Sequence, residues 1–118
     1  MASVEDYENG LIKRHELTIK KKEEDRTKLS EIQNANLGPV FLTFKEGEDI
    51  EKRMMEIALT EEPYSMVEGY DDTQHVLWLC SVDDSDFFLE EFSRIPCTYI
   101  ADGHHRAASA YNVGKIRA

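Results

Sequence analysis

Turn signals divide this chain more sharply than any other feature of its sequence. Asn34-Ala35-Asn36-Leu37-Gly38-Pro39 is a turn cluster, and Pro63 and Pro96 each close a helical pattern, because proline cannot continue a helix. The intervals between these signals are short and alternate in period. Ahead of the first, a charge block (Lys20-Lys21-Lys22, then Glu23-Glu24-Asp25) opens a helix expected from about Glu24 to Asn34. Its acids sit where the helix dipole favours them. Val40 to Phe44 reads as a strand, broken by Gly47. Asp49 to Thr60 carries Ile50, Met54, Ile57 and Ala58 at helical spacing. Tyr64–Tyr70 and Gln74–Val82 read as a hairpin around Asp71-Asp72-Thr73. The run Val76 to Cys80 (VLWLC) is apolar on both faces, which predicts a central strand. Asp84, Ser85 and Asp86 offer N-caps for a helix through about Ser93 that buries Phe87, Phe88, Leu89 and Phe92 in some combination. Cys97 to Ala101 is the next strand, and a last helix starts near Gly103 or His104 and fades by Gly114.

The pattern predicts an α/β fold, a mixed sheet with flanking helices in the order α-β-α-β-β-α-β-α. A chain of 118 residues buries roughly two-thirds of its unfolded surface, enough for one core and not for two. The expectation is therefore a single partial domain over 1–118, with a motif segment and helix over 1–37 and the sheet core over 38–118.

Charge and apolar patterning exclude several function classes. Lys plus Arg is 14 and Asp plus Glu is 24, a net charge of −10. A general DNA or RNA binder is not expected, since phosphate-backbone affinity comes mainly from Lys and Arg. VLWLC is the longest apolar run, far short of the ~20 residues a membrane span needs. The N-terminus is acidic and polar rather than signal-like, so a cytoplasmic location is expected. Cys80 and Cys97 have no CxxC spacing, and two cysteines with two distant histidines do not match structural zinc spacing. They read as reduced, mostly buried thiols, and no metal site is expected. Trp78 reads as core, and His75 as an edge residue of its strand. Asp71-Asp72 and Asp83-Asp84 are explained by turn and cap duty, without EF-hand spacing.

One stretch carries chemistry: a strand, then Asp102-Gly103-His104-His105-Arg106, then a helix rich in alanine (Ala107, Ala108, Ala110). Gly103 permits a tight turn and close backbone approach. The following amides open a helix, whose N-terminus attracts anions. Arg106 can fork onto a phosphate, and two imidazoles can donate or shuttle a proton. Read as structure alone, the same residues are a strand-to-helix turn capped by Asp102 with ordinary surface histidines. Adjacent histidines lack the i, i+4 spacing of helical zinc ligands.

Tyr99 to Ala110 (YIADGHHRAASA) resembles the signature of the bacterial and archaeal domain-of-unknown-function 1015 family. Other segments match it in order. They are Tyr7-Glu8-Asn9-Gly10 through Ile12, Arg14-His15-Glu16 and Thr18; Asp25-Arg26-Thr27; Asn34-Ala35-Asn36 through Gly38-Pro39-Val40-Phe41; and His75-Val76-Leu77-Trp78. The resemblance implies an internal segment of a longer protein, so uncovered apolar surface and self-association are expected. The turn in its own right resembles the phosphate-binding turn of the ParB and sulfiredoxin superfamily, whose members bind nucleotides and which includes a free-serine kinase. That likeness implies a ParB/sulfiredoxin-like fold. The helix after Arg106 reads Ala-Ala-Ser, where the family often has an aromatic followed by an acid. Sulfiredoxin's catalytic cysteine has no counterpart in the turn, and Cys97 lies in the preceding strand, so peroxiredoxin repair is not expected.

Two function classes follow. In the first, a small-molecule phosphotransferase, Gly103, His104, His105 and Arg106 hold phosphates and Asp102 or Glu16 is the base or a magnesium ligand. Arg14 and His15 face the turn and contact substrate, with Glu8 a weaker candidate, and the cofactor is ADP or ATP with Mg2+. In the second, the same residues form a nucleotide-binding regulatory module with no chemistry. The partner in both is a nucleotide or a small phosphorylated metabolite. A structural fragment with an empty site is a third reading.

Overall fold

A computed structural model describes all of residues 1–118. The elements run α1 (Val4–Glu8), β1 (Ile12–Lys13), α2 (Lys20–Gln33), β2 (Phe41–Phe44), α3 (Glu48–Thr60), β3 (Ser65–Glu68), β4 (Gln74–Leu77), α4 (Val82–Ser93), β5 (Thr98–Asp102) and α5 (His104–Arg117). This is the expected α/β order with α1 and β1 added ahead of it. Helix α2 starts four residues before the expected Glu24, and α5 continues past Gly114 to Arg117.

The chain forms two compact units rather than one core. The first joins Met1–Lys45 to Pro96–Ala118, and the second is Glu46–Ile95. The sheet core expected over 38–118 is accordingly divided. Strands order as β1-β5-β2 in one sheet, and β3 pairs only with β4 in another.

In the first unit the sheet is mixed. Ile12 pairs in parallel with Thr98 and Lys13 with Tyr99, while β2 runs antiparallel to β5. Tyr7, Ile12, Ile100 and Ala108 form the buried core, with Val40, Leu42, Ala107 and Tyr111 packed on it. The small side chains of Ala107 and Ala108 bring α5 down onto the sheet. Helix α1 is pinned to α5 by Glu8, which accepts from Lys115 Nζ at 3.1 Å on each oxygen and from the Tyr111 hydroxyl at 3.2 Å. These bonds hold the Glu8 carboxyl below its ordinary range.

In the second unit, Ile50 and Ile57, seven residues apart on one face of α3, are its buried apolar side chains. Arg53 of α3 reaches Asp84 Oδ1 at 2.6 Å, and the Ser81 hydroxyl donates to Asp84 Oδ2 at 2.8 Å. Ser81 is therefore the cap of α4, accepting from the Asp84 amide at 3.0 Å. Asp84, expected as a cap, is instead the buried tie between the helices. The expectation for VLWLC is corrected. The strand stops at Leu77, no third strand joins the hairpin, and Leu77, Leu79 and Cys80 are exposed. An apolar run is buried on both faces only where the fold supplies a neighbour for each. Trp78 and Phe87 are half-buried, not core, and Trp78 Nε1 donates to the Glu61 carbonyl at 3.2 Å. Cys97 is half-buried and both thiols are free. No helix is long and apolar enough to cross a membrane.

Candidate functional site

The site grows out of an irregularity at the end of β5. Leu42 pairs with Ile100 but Phe41 pairs with Asp102, so β5 carries an extra residue, Ala101, in a bulge. Bulges re-aim side chains: Ile100 points into the core, and both Ala101 and Asp102 are exposed. Gly103 follows at φ +94°, ψ 38° as the N-cap of α5, with no side chain capping the helix. The reading in which Asp102 caps it is thereby corrected. Asp102 turns instead to Arg106, whose Nη2 donates to Asp102 Oδ2 at 2.5 Å while Nη1 donates to the Pro39 carbonyl at 2.8 Å.

Two glycines make room for that guanidinium. A Cβ on Gly103 would lie 2.8 Å from Arg106 Nε, and one on Gly38 (φ +79°) 3.2 Å from Nη1. The close approach at Gly103 is thus made by Arg106, and the Gly38-Pro39 and Asp102–Arg106 segments meet at this one side chain. Arg106 is paired but still faces the turn, and two of its five N–H groups are used.

The segment after β1 crosses to the same helix start. The His15 amide donates to His104 Nε2 at 3.4 Å, and the Ile19 amide to His105 Nε2 at 3.0 Å. A ring nitrogen that accepts carries no proton, so this pattern assigns the neutral rings' proton to Nδ1 in both. His104 is only 5% exposed, its Nδ1 lies 3.6 Å from Glu16 Oε2, and the His15 ring stands edge-on to it at 4.5 Å. The two imidazoles therefore fasten residues 15–19, which lie outside any helix or strand, across the start of α5. Glu16, with its side chain 63% exposed, is held at the groove by that strap. Arg14 turns elsewhere, over the Tyr7 ring at 4.9 Å with Nη1 bonded to its hydroxyl at 3.3 Å.

A groove of about 590 Å³ opens over the turn, walled by Glu16, Asp102 and the residues 103–106 on one side and by Lys22, Asp25 and Arg26 of α2 on the other. Sequence reading missed this second wall. Its signal was the i, i+4 spacing of Lys22 and Arg26, which places two cations on one helix face. The hub behind it, Glu23, was missed too. Glu23 accepts from the Thr18 hydroxyl and from Asn112 Nδ2 at 2.7 Å, joining the strap and α5 to α2. Those bonds hold its carboxyl below its ordinary value. No group of three or more His, Cys, Asp or Glu side chains is arranged to hold a metal by itself.

The fold and this groove define an α/β protein with a charged cleft at a strand-to-helix turn. The chain belongs to the family described as "Protein of unknown function (DUF1015)", which matches residues 1–118. No curated protein and no solved structure matches it.

Proposed function

We propose that the groove binds the phosphates of a nucleotide and that the protein is a small-molecule phosphotransferase acting on a hydroxyl substrate of the free-serine type. One observation carries the reading. Three cations from two elements far apart in the chain (Lys22 and Arg26 of α2, and Arg106 of α5) converge with the uncapped start of α5 on a groove that also holds carboxylates. In a chain of net charge −10, such a cluster is not general basicity. The amides of residues 103–106 and the side chains of Arg26, Lys22 and Arg106 hold phosphate oxygens, since phosphoryl transfer is mainly positioning and neutralisation. Glu16 takes the proton of the attacking hydroxyl, and His104 orients it. The ParB/sulfiredoxin likeness of the turn supports the same reading.

Magnesium would arrive with ADP or ATP. It keeps several waters and uses one or two carboxylates plus phosphate oxygens, and Asp25 and Asp102 on the groove wall fit that donor set. The alternative, a nucleotide-binding regulatory module, is favoured by one observation: Arg106 already engages Asp102, leaving Glu16 as the base not committed to a guanidinium.

Arg106→Ala is a poor test, because it also removes the tie to Pro39 and Asp102. Arg26→Ala is better. Titration calorimetry with MgADP should show binding by the protein, weakened by about 1.5–3 kcal/mol in Arg26→Ala, the range for a charged hydrogen bond. MgADP at 100 times its dissociation constant should add ~2.7 kcal/mol to stability. ADP release from MgATP in the presence of free serine or other small alcohols separates the enzyme from the regulatory module. Absence of any nucleotide or phosphate binding removes both.

A further inference from the structure

The charged groove has an apolar continuation. A second cavity of about 390 Å³ lies along the same seam of α2 and α5, lined chiefly by Leu29, Leu37, Pro39, Val40, Leu42 and Ala110. The two cavities share Arg26, Leu29 and Arg106 as a common wall. Each is within the ~300–1,000 Å³ of a small-molecule site. Leu29 and Leu37 are about half exposed there, so the trough, which Met1 and Ala2 also line, presents accessible apolar surface. At its rim stand Ser30 and Asn36. Asn36 carries both a donor and an acceptor and is suited to the polar edge of a flat ring.

We infer that this trough is the subsite for the base of a nucleoside phosphate, an inference that rests on the phosphate reading of the charged groove. A ligand that fills both ends must carry negative charge at one end and an apolar-faced ring with a polar edge at the other. Nucleoside phosphates meet that requirement, whereas inorganic phosphate, pyrophosphate and small phosphorylated alcohols fill only the charged end. Arg106 sits at the junction. Its guanidinium is fixed by the Pro39 carbonyl and the Asp102 carboxylate, between glycines whose missing Cβ atoms make the space. With two N–H groups used, three remain to donate to a phosphate oxygen, and Arg106 lines both the charged groove and the apolar trough. Pro39 therefore does two things: it anchors Arg106 through its carbonyl and, with Val40, walls the base.

Calorimetry with ADP, adenosine and pyrophosphate tests the assignment. ADP should bind at least tenfold more tightly than pyrophosphate, and adenosine should compete with ADP but not with pyrophosphate. Leu37→Ser, a loop change that touches only the apolar end, should weaken ADP about five- to tenfold and leave pyrophosphate unchanged. Arg26→Ala should weaken both. Equal affinities for ADP and pyrophosphate, with Leu37→Ser neutral toward ADP, would overturn the base subsite while leaving the phosphate groove standing. Binding of none of the three overturns the groove and the subsite together.

Discussion

The two units use polar side chains in opposite ways. In the unit made of residues 46–95, the buried charge is consumed internally: Arg53 and Ser81 satisfy Asp84, and the result ties α3 to α4. Its surface interleaves exposed apolar side chains, among them Met54, Met55, Leu59, Met66, Leu77 and Leu89, with exposed carboxylates such as Glu51, Glu62 and Asp86. In the unit made of residues 1–45 and 96–118, polar groups are spent on holding a strap and a turn, and the cations left over face a groove. The lesson is that Arg53–Asp84 ties two helices whereas Arg106–Asp102 walls a groove, although both look alike as isolated distances.

The strongest way to break this contrast is to remove each core separately. Ile100→Ala and Ile50→Ala each delete a side chain only 1% exposed and should each cost about 2–5 kcal/mol. Hydrogen exchange should show lost protection mainly in residues 1–45 and 96–118 for the first and in 46–95 for the second. Equal loss along the whole chain in both variants would mean that the units are one cooperative body. A smaller effect comes from Gly103→Ala, which places a side chain at φ +94° against the Arg106 guanidinium. It should cost about 1–3 kcal/mol and, unlike Ile50→Ala, should abolish ligand binding at the groove in protein that remains folded.

The gentlest probe is acid. Glu23 in one unit and Asp84 in the other have carboxyl groups held below their ordinary values, Glu23 chiefly by the Thr18 hydroxyl and Asp84 chiefly by the Ser81 hydroxyl and then Arg53. A depressed carboxyl stabilises the fold above its unfolded value, and that stability is lost as pH falls through the folded value. Melting temperature should therefore hold down to the ordinary carboxylate range and fall below it. In Asp84→Asn the acid-dependent loss in residues 46–95 should shrink while that in the other unit persists. A fall in melting temperature that starts well above the carboxylate range would contradict this account.

Local signals made much of this molecule readable. The period of Ile50 and Ile57, the caps and prolines, and the strand–glycine–helix order at 98–117 each depend on residues near one another in sequence. What was not readable is long-range. No spacing announces that Arg106 would be held by the Pro39 carbonyl, or that His104 and His105 would accept from the amides of His15 and Ile19. The residue types predicted donors for an anion, whereas the Nε2 atoms act as acceptors that fix a strap. VLWLC failed for the converse reason. Its apolarity reported a capacity for burial, and the second sheet has only two strands to offer it.

The split of the groove-bearing unit also has a consequence in time. Its strands β1 and β2 emerge from the ribosome long before their partner β5, since Ile12 must wait for Thr98 and Leu42 for Ile100. Throughout that interval residues 46–95 are free to collapse on Ile50 and Ile57, and domains that emerge first tend to fold first. A stretch that has already folded shortens the search left to the flanking strands, because closing a loop costs more the longer the flexible chain within it. The nascent protein thus carries an exposed, unpaired β2 edge until β5 is made, and the groove comes into existence only once residues 102–106 join α2.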